Sequence, residues 1–113
     1  MDHVITQQSD ITEEFLMTLL CQVGQAKSLF MQAMLEARMA NFAEIESLLT
    51  QGDEALTSVH KSQTSLIGFD EGEGKVHMTL ILTHIQDHIM TTMLCRDLAI
   101  EIIELRKEIE GGD

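Results

Sequence analysis

Apolar residues in the first third of the chain recur at alternating steps of three and four: Leu16, Leu19, Val23, Ala26, Phe30, Ala33 and Ala37. A second run repeats the spacing with Phe42, Ile45, Leu49, Gly52, Leu56, Val59, Gln63 and Leu66. Sustained heptad spacing predicts packed helices, not strands. Proline is absent, which removes the strongest interrupter of long helices. Asp10 with Glu13 fits an N-cap and its returning carboxylate, and Asn41 fits a cap for the second helix. Gly52 costs roughly 1 kcal/mol against alanine inside a helix, but the register continues on both sides, so one helix is predicted through it. The stretch GFDEGEGK, 68–75, is the clear loop. It is not a P-loop, because Phe69 stands where the first glycine belongs and Val76 follows Lys75 in place of Ser or Thr.

A third helix is predicted over about 76–109. At about 100° per residue, Thr79, Thr83, Gln86, Asp97, Glu101 and Glu104 gather on one narrow polar face. Apolar residues cover nearly all the rest, a wider arc than a surface helix needs. Two sister helices cannot cover it, so part of it is expected to pack against other subunits. Within the arc runs a seam of Leu80, His84, Asp87, Thr91, Leu94, Leu98 and Leu105, with His88 one turn on from His84. Burying ionisable groups is costly unless they are paired, hydrogen-bonded or bound to an ion. His84, Asp87 and His88 therefore mark the place where chemistry, an ion or a partner is expected.

Composition narrows the options. A length of 113 residues suits one domain, 1–113, with residues 1–10 expected to be a flexible extension. Apolar residues make up 44% of the chain, so it is globular; no apolar run is long enough to span a bilayer, and no signal segment opens it. Cys21 and Cys95, far apart and without CxxC spacing, read as reduced core thiols of a cytoplasmic protein. The formal charge of −12, with only seven Lys and Arg, repels phosphate backbones and anionic membranes, so nucleic acid is excluded and basic proteins are favoured partners. Without Trp or Tyr the chain lacks the usual rings for gripping sugars directly.

Three readings of the polar layer remain. It can be a specificity device that fixes helix register and oligomer state. It can be a metal site, since His84 and His88 at i, i+4 share a face and Asp87 could add an oxygen, although HxxxH alone is a weak signal and HExxH is absent. Or one imidazole is a nucleophile. A free imidazole, with a pKa of about 6.5, keeps a lone pair at cytosolic pH and can accept and pass on a phosphoryl group. Such transfer needs mainly positioning and charge stabilisation, which a rigid bundle supplies without a nucleotide loop. His88 would assist as a hydrogen-bond donor or as a cation. Asp87 would repel a phosphate; it fits better at a symmetry axis, where clustered carboxylates suit Mg²⁺.

At these residues the chain resembles the IIA component of the lactose/cellobiose (chitobiose) family of the sugar phosphotransferase system. HMTLILTHIQDHIMTTMLCRDLAIEIIEL carries the family's HxQDHxM core and its IIEL ending. QVGQAKSLFMQAM in the first helix and VHKSQTSLI followed by EGEGK agree as well, so the resemblance covers about residues 14–106. It implies an antiparallel three-helix subunit in a homotrimer, a nine-helix bundle. It also implies a phosphocarrier that takes its phosphoryl group from the histidine-containing phosphocarrier protein and passes it to a cysteine of the cognate IIB component. A membrane permease, IIC, then phosphorylates a β-linked disaccharide during uptake. By motif position His84 is the phosphohistidine, His88 and Gln86 support the phosphate, and Asp87 is the Mg²⁺ ligand shared by three subunits at the trimer axis. The alternative is a metal-binding helical bundle without phosphotransfer. His60 matches the family's AHxxQT, with a helix-interface role as the simpler reading, while His77 and His3 read as surface residues. The chain departs from the family at Ile85, where Ala or Gly is usual and a narrowed groove is expected, at the MANF turn, and at Gly52.

Overall fold

Thr12, not Asp10, opens the first long helix. Its hydroxyl accepts a hydrogen bond from the Phe15 backbone N–H at 3.0 Å, satisfying one donor that the first turn leaves without a partner. The expected Asp10–Glu13 pair does not form, because the Asp10 carboxylate turns back to accept from Thr6 N (2.9 Å), Thr6 Oγ1 (3.0 Å) and Gln7 N (3.2 Å). The structure, a computed structural model, describes residues 4–111; His3 lies outside them. A 3-10 turn, Gln8–Asp10, precedes three helices: α1 (Glu13–Arg38), α2 (Ile45–Asp70) and α3 (Leu80–Ile109). The described residues contain no strand, so the fold is all-α, as predicted.

Three apolar clusters stack along the bundle and fix its topology. At one end Phe15, Leu19 and Val23 of α1 meet Val59 and Leu66 of α2 and Leu82, Ile85 and Ile89 of α3. Ala26, Phe30 and Ala99 form the middle. At the far end Ala33 and Ala37 meet Ile45 and Ile103. The start of α1 thus sits with the end of α2 and the start of α3, an up-down-up bundle in which α2 runs antiparallel to the other two. α1 is the spine: it packs along both other helices, whereas α2 and α3 approach each other less closely. Polar bridges cross that wider gap, with Arg96 holding Asp53 through Nε (2.6 Å) and Nη2 (3.3 Å).

The heptad register of α2 is visible in burial. Ile45, Gly52, Val59 and Leu66, each seven residues on, are all buried. Gly52 continues the helix and has a packing role that the sequence did not disclose: the Phe30 ring, itself fully buried, lies on its backbone. A Cβ at Gly52 would meet Phe30 Cε1 at 2.6 Å and Cζ at 2.9 Å. In α1 the buried stripe begins at Phe15 and not at Leu16, which is half-buried.

Other boundaries moved. Asn41 does not cap α2; its Nδ2 donates to Glu36 Oε1 at 2.7 Å, and Glu44 precedes the helix without a side-chain cap. α3 starts at Leu80, behind Thr79, whose hydroxyl accepts from Leu82 N at 3.2 Å. Residue 76 is kept out of that helix because its N–H donates to Asp70 Oδ1 at 2.9 Å, tying the loop to the end of α2. Gly72 and Gly74 take positive φ (70° and 74°) in that loop, a region glycine enters without steric cost. Residues 4–10 lie along the bundle: Ile5 is buried, its N–H donates to Ser65 Oγ at 2.6 Å, and Gln8 Oε1 accepts from His77 N at 2.9 Å. Both cysteines are free; Cys21 is exposed instead of in the core, and Cys95 Sγ lies 3.9 Å from Met31 Sδ.

Candidate functional site on the third helix

α3 is anchored by Leu82, Ile85, Ile89, Thr92, Ala99 and Ile103, all buried against the other helices. This stripe sets which way the polar layer faces. His84, Asp87 and Thr91 point outward and are exposed, together with Leu80 (88% exposed), Leu94, Leu98 and Leu105. The leucine seam inferred from the sequence therefore lies on an outer face that nothing in the single chain covers. Ile85 is fully buried and fills the core. It does not narrow a groove beside His84, because the adjacent position on a helix points about 100° away.

The two histidines form a pair. Their ring centroids are 6.2 Å apart with planes inclined by 29°. His84 is exposed, open to an approaching partner, while His88 is half-buried and faces α1. Burial first, then the positive charges of Lys27 and His84, hold the His88 imidazole below its ordinary pKa. A neutral ring keeps both an acceptor and a donor nitrogen. Around His88 the groove wall is made by Gly24, Lys27, Ser28 and Met31 of α1. Lys27 and Ser28 escaped the motif-based reading, although QVGQAKSLFMQAM contains both.

Gln86 goes elsewhere. Two positions from His84, it is about 200° around the helix, half-buried, and its Oε1 accepts a hydrogen bond from Gln63 Nε2 of α2. The structure does not bring it to His84. The cause is the wide gap between α2 and α3, where two amides can bridge what apolar side chains leave open. Gln63 Oε1, buried beside it, has no partner among the described residues. His60 is exposed and lines a cleft between α2 and α3 with Asp53 and Arg96, away from His84. His77 is an exposed loop residue, as expected.

Asp87 makes no hydrogen bond or ion pair among the described residues and stands in the exposed leucine seam. Among those residues of one chain, no group of three His, Cys, Asp or Glu side chains is placed to hold a metal. A lone carboxylate suits a hard divalent cation only if copies from other chains converge on it with water. No helix among the described residues is long and apolar enough to cross a membrane.

Comparison with known proteins agrees with this geometry. The family model for "PTS system, Lactose/Cellobiose specific IIA subunit" matches residues 14–107, which span all three helices except the first residue of α1 and the last two of α3. The N,N'-diacetylchitobiose-specific EIIA component of Escherichia coli (strain K12) is 41% identical over 104 residues, covering 92% of this chain and 90% of that protein. Among solved structures, the cellobiose-specific enzyme IIA from Bacillus anthracis superposes with a TM-score of 0.82 at 31% identity, covering 89% of this chain and 93% of that one. The IIA(Chitobiose)–HPr complex from Escherichia coli contains a chain that superposes with a TM-score of 0.75 at 42% identity, covering 87% of this chain and 95% of that one. A helical bundle that presents a histidine pair from the HxQDHxM motif, matched along its length by these relatives, belongs to the lactose/cellobiose-specific IIA family and is a component of the sugar phosphotransferase system.

Proposed function

We propose that this protein is a cytoplasmic phosphocarrier that carries its phosphoryl group on His84 during uptake of a β-linked disaccharide of the chitobiose or cellobiose type. The observation that carries the reading is the exposed His84 ring held on a rigid helix beside a half-buried His88. The donor is the histidine-containing phosphocarrier protein, supported by the relative solved in complex with HPr. A lone pair on one His84 ring nitrogen attacks phosphorus, and the donor's P–N bond breaks with its electron pair returning to the donor imidazole. The proton shed by the other His84 nitrogen is matched by one that the donor ring takes up. In the second transfer, a cysteine thiolate of the IIB component attacks phosphorus, an S–P bond replaces the N–P bond, and His84 regains a proton. His88 would donate a hydrogen bond to the phosphoryl oxygens. The formal charge of −12 favours basic docking faces on both partners.

The exposed leucine seam supports assembly into a homotrimer, with Asp87 of each subunit at the axis. A divalent cation such as Mg²⁺, held there by the three carboxylates, would offset their mutual repulsion. Its role would be structural, outside the transfer steps.

His84→Gln tests the phosphohistidine assignment. The amide fills the space without a nucleophilic lone pair, so the variant should stay folded and gain no acid-labile phosphate from phosphorylated HPr. Full labelling of the variant, mapped to His60 or His88, would overturn the assignment. A wild-type protein that binds divalent metal but never takes up phosphate would favour the metal-binding bundle instead.

A further inference from the structure

Only seven Lys and Arg stand among nineteen acidic residues, so a cation without a partner is informative. Lys75 pairs with Glu71 and Glu73, Arg96 with Asp53 and Asp97, and Lys107 with Glu104, and Lys61 is likewise engaged by a neighbouring group. Arg38 and Arg106 lie in the last turns of α1 and α3, where positive charge complements the exposed carbonyls of the helix end. Lys27 has neither role. It sits in the middle of α1 and makes no ion pair or hydrogen bond among the described residues.

Its position supplies the missing reason. Gly24, Lys27, Ser28 and Met31 recur at i, i+3, i+4 and i+7, so they share one face of α1. That face, with His88 of α3, walls a single groove. His88 in turn stands beside His84, 6.2 Å between ring centroids. The groove is open at Gly24, where a Cβ would meet no atom within 4 Å. The space beside the histidine pair is therefore bordered by an ammonium group and a hydroxyl, the two kinds of donor that suit a phosphoryl oxyanion.

We propose that Lys27 and Ser28 are phosphoryl-contacting residues, which offset and hydrogen-bond the dianion once it is on His84. The inference rests on His84 being the phosphohistidine. A phosphoryl group adds negative charge to an already acidic chain, and an adjacent ammonium counters it. Because Lys27 would act on the phosphorylated state and has nothing to stabilise without it, its effect should appear in the phosphoryl equilibrium as well as in rates.

The test uses the full chain and ³²P-labelled phospho-HPr, measuring both the transfer rate and the equilibrium partition of label between the two proteins. Lys27→Met should shift the partition about tenfold toward the donor, the size expected for losing one charge-assisted hydrogen bond. Ser28→Ala should shift it less, and Lys27→Arg should stay near wild type. Thermal stability should be nearly unchanged throughout, since Lys27 is exposed and unpaired. An unchanged partition in Lys27→Met would overturn the proposal; so would a slower rate at unchanged partition, which would mean that Lys27 serves donor docking. Equal losses in Lys27→Arg and Lys27→Met would overturn it as well. Failure of the wild type to label His84 would instead remove the phosphocarrier reading on which the proposal rests.

Discussion

Replacing Gly52 by alanine should destabilise this protein, against the general preference of helices for alanine. In an exposed helix interior the change stabilises by roughly 1 kcal/mol. At Gly52 the new methyl group would stand 2.6, 2.9 and 3.0 Å from three atoms of the Phe30 ring. That ring is fully buried in the middle cluster, so it cannot swing aside into solvent. Overpacking of this kind costs about 1–3 kcal/mol or more, and so close an approach to a fixed ring falls in the upper part of that range. The net expectation is a loss of about 1–2 kcal/mol. Near this chain length each kcal/mol moves the melting temperature by about 4 °C, so a fall of roughly 4–8 °C is expected by far-UV circular dichroism at one fixed protein concentration. Gly68→Ala is the control: it lies in the same helix and a Cβ there would meet nothing within 4 Å, so it should be neutral or stabilising by up to about 1 kcal/mol. Phe30→Leu should cost stability alone but relieve part of the Gly52→Ala penalty in a double-mutant cycle. A Gly52→Ala protein as stable as Gly68→Ala, with no coupling to position 30, would refute the close ring-to-backbone contact.

Two further outcomes follow from charged groups. Asp87→Leu should leave the protein folded and make its thermal stability independent of Mg²⁺ while the wild type depends on it; a wild type indifferent to chelation at neutral pH, together with a variant that dissociates, would exclude the axial-carboxylate arrangement. The Asp70 carboxyl is held below its ordinary value of 3.8, first by the Val76 N–H and then, against some desolvation, by the N–H groups of Gly74, Lys75 and Gly72. A lowered folded value means that its stabilising effect is complete above the ordinary value and is lost as pH falls through the lowered one. NMR titration should therefore place Asp70 below 3.8, and a value at or above it would contradict the loop geometry.

The helices were legible because heptad spacing reports directly on which face is buried, and α2 kept that spacing through a glycine. Their ends were not, because several side chains near each boundary can cap. Thr12 and Asp10 both offered an oxygen, and the choice fell to the one whose neighbours left it free, since Asp10 was occupied by Thr6 and Gln7. The histidine pair was legible from its i, i+4 spacing. The placement of Gln86 was not, because a wheel of one helix shows a polar face without showing that Gln63 on another helix meets it. Lys27 was hidden for the same reason. Its relation to His88 spans two helices, and no local pattern in α1 points across the groove.

The spine-like arrangement, in which α2 and α3 both lean on α1, gives the chain an elongated outline of 53 × 23 × 20 Å. Its radius of gyration is 16.6 Å, whereas a compact domain of this length would have about 13 Å. The accessible surface, 7094 Å², likewise exceeds the roughly 6,200 Å² expected for a 12.7 kDa compact monomer. A narrow rod has less interior per residue than a sphere, so it excludes less apolar surface from water for the same loss of chain entropy. Concentration thereby becomes a variable of folding itself: dilution should lower the melting temperature of any assembly that shields the outer face, while a solitary rod would melt at one temperature regardless of dilution.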